Sequence, residues 1–234
     1  MTNTSSSERL GHPLAMVDVL RPLTPSEADE FVMRSAVARL KAGESFEMAE
    51  DRRALFVLVS GRARVFEPDH AGEGLTFSIV EGGTVLGQTG FALRRATRLE
   101  ALEPSVVRSL RWEDFEDLAR RNPEVGVQMA RLLSARLAVC EDRLSDLVRK
   151  EVTARLASLI LKFGEYQGIV VSDGSRRIPM RLTHRQLASM VGAKREAVTR
   201  AISTLKAAGG VEIRDRYLHV TDTETLERLA RPTR

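Results

Sequence analysis

The chain has 234 residues, 43% hydrophobic and 29% charged, a globular composition with length for two cores. One cysteine, Cys140, excludes an internal disulfide and a cysteine-held cluster, and no apolar run reaches the length of a membrane span. Residues 150–234 carry 16 Lys/Arg against 9 Asp/Glu, a surplus of +7, whereas residues 1–149 carry 20 against 23, or −3; a basic C-terminal third implies a polyanionic partner, nucleic acid foremost.

Met1 to Ser7 is polar and serine-rich and lacks the layout of a secretory signal, so the expected location is the cytoplasm, away from membranes. Residues 1–19 read as a flexible tail. Thr24-Pro25-Ser26-Glu27 opens a short helix, with Thr24 as N-cap, Pro25 in the first turn and Glu27 at capping-box spacing. From Val37 to Leu110 short apolar stretches end at turn signals. Leu55 to Val59 joins the alternating Arg62 to Phe66 through Ser60-Gly61, a hairpin signature. Further turns fall at Ala42-Gly43, His70 to Gly74, Glu81-Gly82-Gly83 and Gly87 to Gly90. Such spacing predicts a small antiparallel sandwich or jelly roll over residues 20–121.

Helix returns at Trp112, and Asn122-Pro123-Glu124 starts a long one over residues 122–148. Gly126, Ala130, Leu133, Leu137, Cys140, Leu144 and Leu147 are spaced 4, 3, 4, 3, 4 and 3, the narrow seam of a two-helix coiled coil. Ala130, Leu133, Leu137, Cys140, Leu144 and Leu147 are therefore the expected interface of a homodimer, with Cys140 buried in it rather than reactive. A helix over about Glu151 to Phe163 comes next, followed by Gly164 and Gly168, then a hairpin from Ile169 to Met180 turning at Asp173-Gly174.

The most informative segment runs from Arg181 to Leu205. Thr183 caps a short helix whose apolar face is Leu187, Met190 and Val191; Gly192 supplies the turn; a second helix begins near Lys194 or Arg195, with Val198, Ile202 and Leu205 inward. Its outward positions are Lys194, Arg195, Glu196, Thr199, Arg200 and Ser203. Arginine donates two bonds to a guanine edge and glutamate accepts from cytosine, so Arg195, Glu196 and Arg200 are candidate base readers. Thr183, Arg185, Lys194, Thr199 and Ser203 suit phosphates. A carboxylate among cations hinders pure phosphate binding and makes sense where it reads a base. Val211 to Arg214 and Tyr217 to Val220, turning at Asp215-Arg216, form a wing, and Thr221 to Leu229 a last short helix. The expected fold is α+β: a β jelly roll, a long helix, and a winged helix-turn-helix domain over residues 149–234.

This layout resembles the cyclic-AMP receptor protein / fumarate-nitrate regulator (CRP/FNR) family across about residues 20–225. Arg195-Glu196-Ala197-Val198-Thr199-Arg200 is similar to the family's Arg-Glu-x-Val-x-Arg recognition segment; Val59-Ser60-Gly61, Gly83 to Gly87 and Asn122-Pro123 are similar to other family stretches. The resemblance implies a homodimeric transcription regulator on double-stranded DNA, a two-fold TGTGA-like operator, and RNA polymerase as a partner. It also implies an effector pocket, and there the sequence departs. Gly87 is followed by Gln88 where the family's cyclic-AMP binders have glutamate, a weaker acceptor in exchange for a carboxylate. Arg95-Ala96-Thr97 resembles the phosphate-binding Arg-Ser-Ala with its hydroxyl displaced. Cys140 and Glu141 stand where the family offers Thr-Ser to adenine, and Arg95 is the expected ion-pair partner of Glu141. Tight cyclic-AMP binding is not expected and no cofactor is implied, with a cyclic-AMP-dependent regulator of the same fold as the alternative.

Two rival readings fare worse. A metal-dependent jelly-roll enzyme needs clustered ligands, but of His12, His70, His184 and His219 only His70 falls in the β region, so no metal site and no enzyme are expected. An adaptor acting through protein contacts alone would not need a base-reading Glu196 among arginines.

Overall fold

The computed structural model describes residue 14 and residues 16–48, 54–68, 74–88 and 97–232. The chain divides into two compact units, Met1–Leu137 and Ala138–Arg234.

The first unit opens with a 3-10 turn at Asp18–Leu20 and helix α1 (Pro25–Arg34). Thr24 Oγ1 accepts from Glu27 N at 3.3 Å and Thr24 N donates to Glu27 Oε2 at 2.8 Å, the reciprocal capping box. Among the described residues, eight strands follow: β1 (Ala36–Leu40), β2 (Ser45–Met48), β3 (Ala54–Ser60), β4 (Arg62–Glu67), β5 (Leu75–Glu81), β6 (Thr84–Gln88), β7 (Thr97–Ala101) and β8 (Ser105–Arg111). They form two antiparallel four-stranded sheets, ordered β1-β8-β3-β6 and β2-β7-β4-β5. Of the connections between successive strands, only β4 to β5 stays within one sheet. This is the jelly roll that the turn spacing implies.

The Ser60-Gly61 turn, however, is not a hairpin. β3 pairs with β6 and β8, β4 with β5 and β7, so the turn carries the chain from one sheet to the other. Both faces of β3 are buried, which explains its unbroken apolar run. Phe56 and Leu58 face a core between the sheets with Ala63, Val65, Leu99 and Val107. Leu55 and Val57 enter a second core with Leu14, Val17, Val19, Leu20, Phe31 and Phe115. Gly61 has φ +87°, and a Cβ there would stand 2.5 Å from Pro104 O, so glycine is required where the sheets meet. The burial of Leu14, Val17 and Val19 also shows that packing begins inside the stretch read as a tail, because the second core needs cover on the outer face of β3.

Helix α2 (Trp112–Arg121) leads into α3 (Pro123–Arg149), one 27-residue helix that crosses the division between the units. Asn122, between them, donates from Nδ2 to Pro22 O at 3.0 Å and to Glu27 Oε2 at 3.3 Å, tying the start of α3 to the cap of α1.

The second unit contains α4 (Val152–Tyr166), β9 (Ile169–Val170), β10 (Arg176–Arg177), α5 (His184–Val191), α6 (Arg195–Ala207), β11 (Val211–Arg214), β12 (Tyr217–Val220) and α7 (Thr223–Leu229). Its sheet runs β11-β12-β10-β9. Leu156, Ile160, Ile178, Leu187, Leu205 and Leu226 fill the core with under 2% exposure each, so truncating any one to alanine removes well-packed volume. α4 runs to Tyr166, past Phe163 where the helix is expected to end. Gly164 is buried, with Val220 Cγ2 3.0 Å from where its Cβ would stand, so it serves close approach rather than termination.

Candidate nucleic-acid interface

α5 and α6 form the helix-turn-helix. Thr183 Oγ1 accepts from Gln186 N at 3.1 Å and Thr183 N donates to Gln186 Oε1 at 2.9 Å, a second capping box that fixes where α5 begins. Leu187, Ala188 and Val191 are buried; Met190, expected beside them, is half-buried. Gly192 ends α5 in the left-handed conformation, φ +60° and ψ 51°, which glycine adopts without penalty. Val198, Ala201, Ile202 and Leu205 then form the inward stripe of α6.

That stripe fixes the outward face. Lys194, Arg195, Glu196, Thr199, Arg200 and Ser203 are all exposed, as are Thr183 and Arg185. The arginines and Lys194 therefore present charge to solvent, with Glu196 among them in the first turn of α6. The hydroxyls are differently placed. Ser203 Oγ donates to Thr199 O at 3.1 Å, Thr199 Oγ1 donates to Arg195 O at 3.1 Å, and Thr183 Oγ1 is engaged in its capping box. These three candidate phosphate ligands have partners inside the protein; Arg185 and Lys194 are exposed cationic residues.

Two supports of this face have no signal in local sequence spacing. Arg155 on α4 donates to Val191 O at 2.9 Å, Gly192 O at 3.4 Å and Lys150 O at 2.8 Å, so one guanidinium ties the turn between α5 and α6 to the end of α3. The guanidiniums of Arg177 and Arg181 lie 5.0 and 5.1 Å from the centre of the Tyr217 ring, within reach of its π face. An open cleft of about 400 Å³ lies between the first turn of α4 and α6, lined in part by Thr153, Arg155, Arg200 and Thr204.

The wing forms as expected: β11 and β12 pair across a two-residue turn in which Asp215 and Arg216 have φ +49° and +68°. β9 and β10 pair across the Asp173-Gly174 turn. There Asp173 Oδ1 accepts from Ser175 Oγ at 2.7 Å and from Ser175 N at 3.0 Å, and Asp173 Oδ2 meets Arg214 of the wing. The Ser175 hydroxyl, then the Arg214 guanidinium, hold the Asp173 carboxyl well below the ordinary aspartate range. Ser175 Oγ also lies 3.3 Å from Nδ1 of the buried His219.

On α3, Ala130 and Cys140 are exposed, and Leu133, Leu137, Leu144 and Leu147 are 52%, 60%, 63% and 49% exposed in the single chain. Cys140 is thus not buried by its own protomer. Among the candidate effector residues, Gly87 and Gln88 lie on β6, opposite Phe56 and Leu55 of β3. Thr97 begins β7, and Glu141 is exposed on α3. Arg95 and Ala96, and with them the expected Arg95–Glu141 pair, fall outside the described residues. Among the described residues no group of three or more His, Cys, Asp or Glu is placed to hold a metal, and no helix is long and apolar enough to cross a membrane.

The cyclic nucleotide-binding domain model matches residues 37–122, the β roll, and the Crp-like helix-turn-helix domain model matches residues 154–229. A global nitrogen regulator of Nostoc sp. (strain PCC 7120) is 27% identical over 178 residues, 74% of this chain and 79% of that protein. A CRP-like cAMP-activated global transcriptional regulator of Mycobacterium tuberculosis is 25% identical over 189 residues, 80% of this chain and 84% of that protein. A CooA mutant from Carboxydothermus hydrogenoformans shares the fold with a TM-score of 0.76, covering 92% of this chain and 95% of that one at 21% identity. A β roll of the cyclic nucleotide-binding type followed by a Crp-like helix-turn-helix defines a DNA-binding transcription regulator. The chain belongs to the CRP/FNR family.

Proposed function

We propose that the chain acts as a homodimer on a palindromic, TGTGA-like operator and regulates transcription there without requiring cyclic AMP. The observation that carries this reading is the outward face of α6, where Arg195, Glu196 and Arg200 stand exposed on a helix whose other side is locked in the core. Arg195 and Arg200 contact guanines and Glu196 accepts from a cytosine amine. Arg185 and Lys194 engage phosphates, supplemented by Thr183 and Ser203 where their hydroxyls turn outward, while the Thr199 hydroxyl stays bonded within the motif. The family's RNA polymerase contact is expected to follow from operator binding.

Dimerisation draws support from the seam of α3. Leucines about half exposed or more at 3.5-residue spacing are costly in water and gain about 25 cal/mol per Å² when covered. Independence from cyclic AMP rests on the donor set: Gln88 in place of a carboxylate, Ala96 where a hydroxyl belongs, and Cys140 and Glu141 at the purine positions do not fit the nucleotide. Cyclic AMP belongs to the M. tuberculosis relative by name, while the Nostoc relative is named for nitrogen, so the kinship does not select an effector.

The test is a mobility shift with purified protein and no added nucleotide, on a TGTGA palindrome and on a scrambled duplex of equal length. Selective retention of the palindrome is expected. Equal binding to both, or selectivity only after cyclic AMP is added, would refute the corresponding half of the proposal.

A further inference from the structure

His184 opens α5, and its Nδ1 lies 2.9 Å from Oγ1 of Thr199 on α6, a side-chain bridge between the two helices of the DNA-binding motif. Thr199 Oγ1 is also 3.1 Å from Arg195 O. A hydroxyl has one proton to give. A carbonyl cannot supply one, whereas an imidazole nitrogen can. Both contacts are hydrogen bonds only if Thr199 donates to Arg195 O and accepts from an Nδ1–H of His184. The wiring thus selects the Nδ1–H tautomer, leaving Nε2 as a bare acceptor in the neutral ring. The ring is half-buried at the start of α5, so Nε2, opposite Nδ1, is directed away from the Thr199 contact.

In a helix-turn-helix the first helix crosses the DNA backbone while the second enters the major groove. Phosphate oxygens only accept hydrogen bonds. A neutral ring held in the Nδ1–H tautomer offers a phosphate nothing but a lone pair, whereas the imidazolium offers a charge-assisted donor. We propose that the His184–Thr199 bridge makes His184 a proton-gated phosphate contact: the ring engages the DNA backbone only when Nε2 is protonated, so DNA binding takes up a proton at this site in each protomer. The inference rests on the DNA-reading role of α5 and α6 and adds to it a specific dependence on pH.

Of the helices packed together here, α5 carries Arg185, α6 carries Arg195, Glu196, Arg200 and Lys206, and α4 carries Lys162, Glu165 and Arg155, whose guanidinium is committed to Val191 O and Gly192 O. Histidine ordinarily changes charge between about pH 6 and about pH 8. The other histidine of this unit, His219, is buried against Ser175.

The experiment measures DNA affinity of the full chain at about pH 6 and about pH 8 at constant ionic strength, on a TGTGA palindrome and a scrambled duplex, since a phosphate contact acts on both. Wild type is expected to lose affinity about tenfold or more across that range, because proton uptake on binding makes affinity fall as pH rises. His184→Arg, charged throughout, and His184→Gln, an amide that donates without protonation, should each flatten the profile. Thr199→Val frees the ring to adopt the Nε2–H tautomer, and should flatten it while leaving His184 in place. A wild-type profile that coincides with that of His184→Gln, or a Thr199→Val profile as steep as wild type, would overturn the proton gate while leaving DNA reading intact. Failure of wild type to bind either duplex at either pH would instead overturn the DNA-reading role itself.

Discussion

Leu147, in the last turns of α3, lies against Gly192, the left-handed residue between α5 and α6: a Cβ built on Gly192 would stand 3.0 Å from Leu147 Cδ2. The same turn is held by Arg155, which also grips Lys150 O just beyond α3. One apolar contact and one guanidinium thus join the turn of the helix-turn-helix to the chain at and just beyond the end of α3.

Gly192→Ala tests both demands on that position. A side chain in the left-handed region costs about 1–2 kcal/mol, and the new methyl must displace Leu147. A melting temperature lowered by several degrees, together with weakened operator binding, is the expected result, read by thermal denaturation and mobility shift. Arg155→Ala should weaken binding similarly without any backbone strain, by leaving the carbonyl of the buried Val191 without its donor at about 1–3 kcal/mol. An unchanged melting temperature in both would mean that the turn is not under the constraint described.

Leu137→Glu addresses the seam. Leu137 is 60% exposed in the single chain, so the substitution should be tolerated by the protomer. In a two-fold interface the glutamates of both chains would meet in an apolar environment, which no partner compensates. Sedimentation should show a folded monomer, with operator binding lost. A Leu137→Glu protein that sediments as an unchanged dimer would place the interface elsewhere.

Much of this architecture was legible in local sequence. The two capping boxes at Thr24 and Thr183, the glycine after Val191, the wing turn at Asp215-Arg216 and the unbroken helix after Asn122 all depend on residues within a few positions of one another, where periodicity and turn chemistry suffice. Ser60-Gly61 was misleading for a physical reason. A glycine turn looks the same whether the chain folds back within a sheet or crosses to the opposite one, and the deciding fact, burial of β3 on both faces, belongs to the tertiary structure. The His184–Thr199 bridge, the grip of Arg155 and the Asp173–Ser175–Arg214 cluster join residues on different elements, so no repeat in the sequence marks them. Only the histidine count drew attention to His184, and only as a metal ligand to be dismissed.

Acid sensitivity of the wing follows from Asp173. Its carboxyl is held below the ordinary range by the Ser175 hydroxyl and then by Arg214, so the fold favours the ionised form. The associated stability is present above the ordinary aspartate value, about pH 4, and is lost as pH falls further toward the depressed one. Asp173→Asn should lower the melting temperature at neutral pH. The gap from wild type should narrow as the buffer is taken below about pH 4, where the wild-type carboxylate is itself being protonated. A gap that stays constant down to acid pH would show that charge at this position contributes nothing.

The division of labour on α6 is the most discriminating prediction. Arg195→Ala and Arg200→Ala each remove a guanine contact and should cost roughly 1–3 kcal/mol per half-site while relaxing preference at one base pair. Glu196→Ala takes a negative charge away from phosphates, so affinity for random DNA should hold or rise while discrimination at one position falls. Lys194→Ala should weaken all sequences about equally and flatten the salt dependence, as loss of a phosphate contact does. Because every change is present in both protomers, effects on a palindrome should be about twice those on a single half-site, with half-sites about one helical turn apart. The measurement is a matrix: four variants against a TGTGA palindrome and its single-base changes at low and moderate salt. The proposed reading requires the Glu196 and Lys194 profiles to differ in kind, one in specificity and the other in overall affinity. If the two coincide, or if Arg195→Ala leaves base preference untouched, the exposed face of α6 binds DNA without reading it.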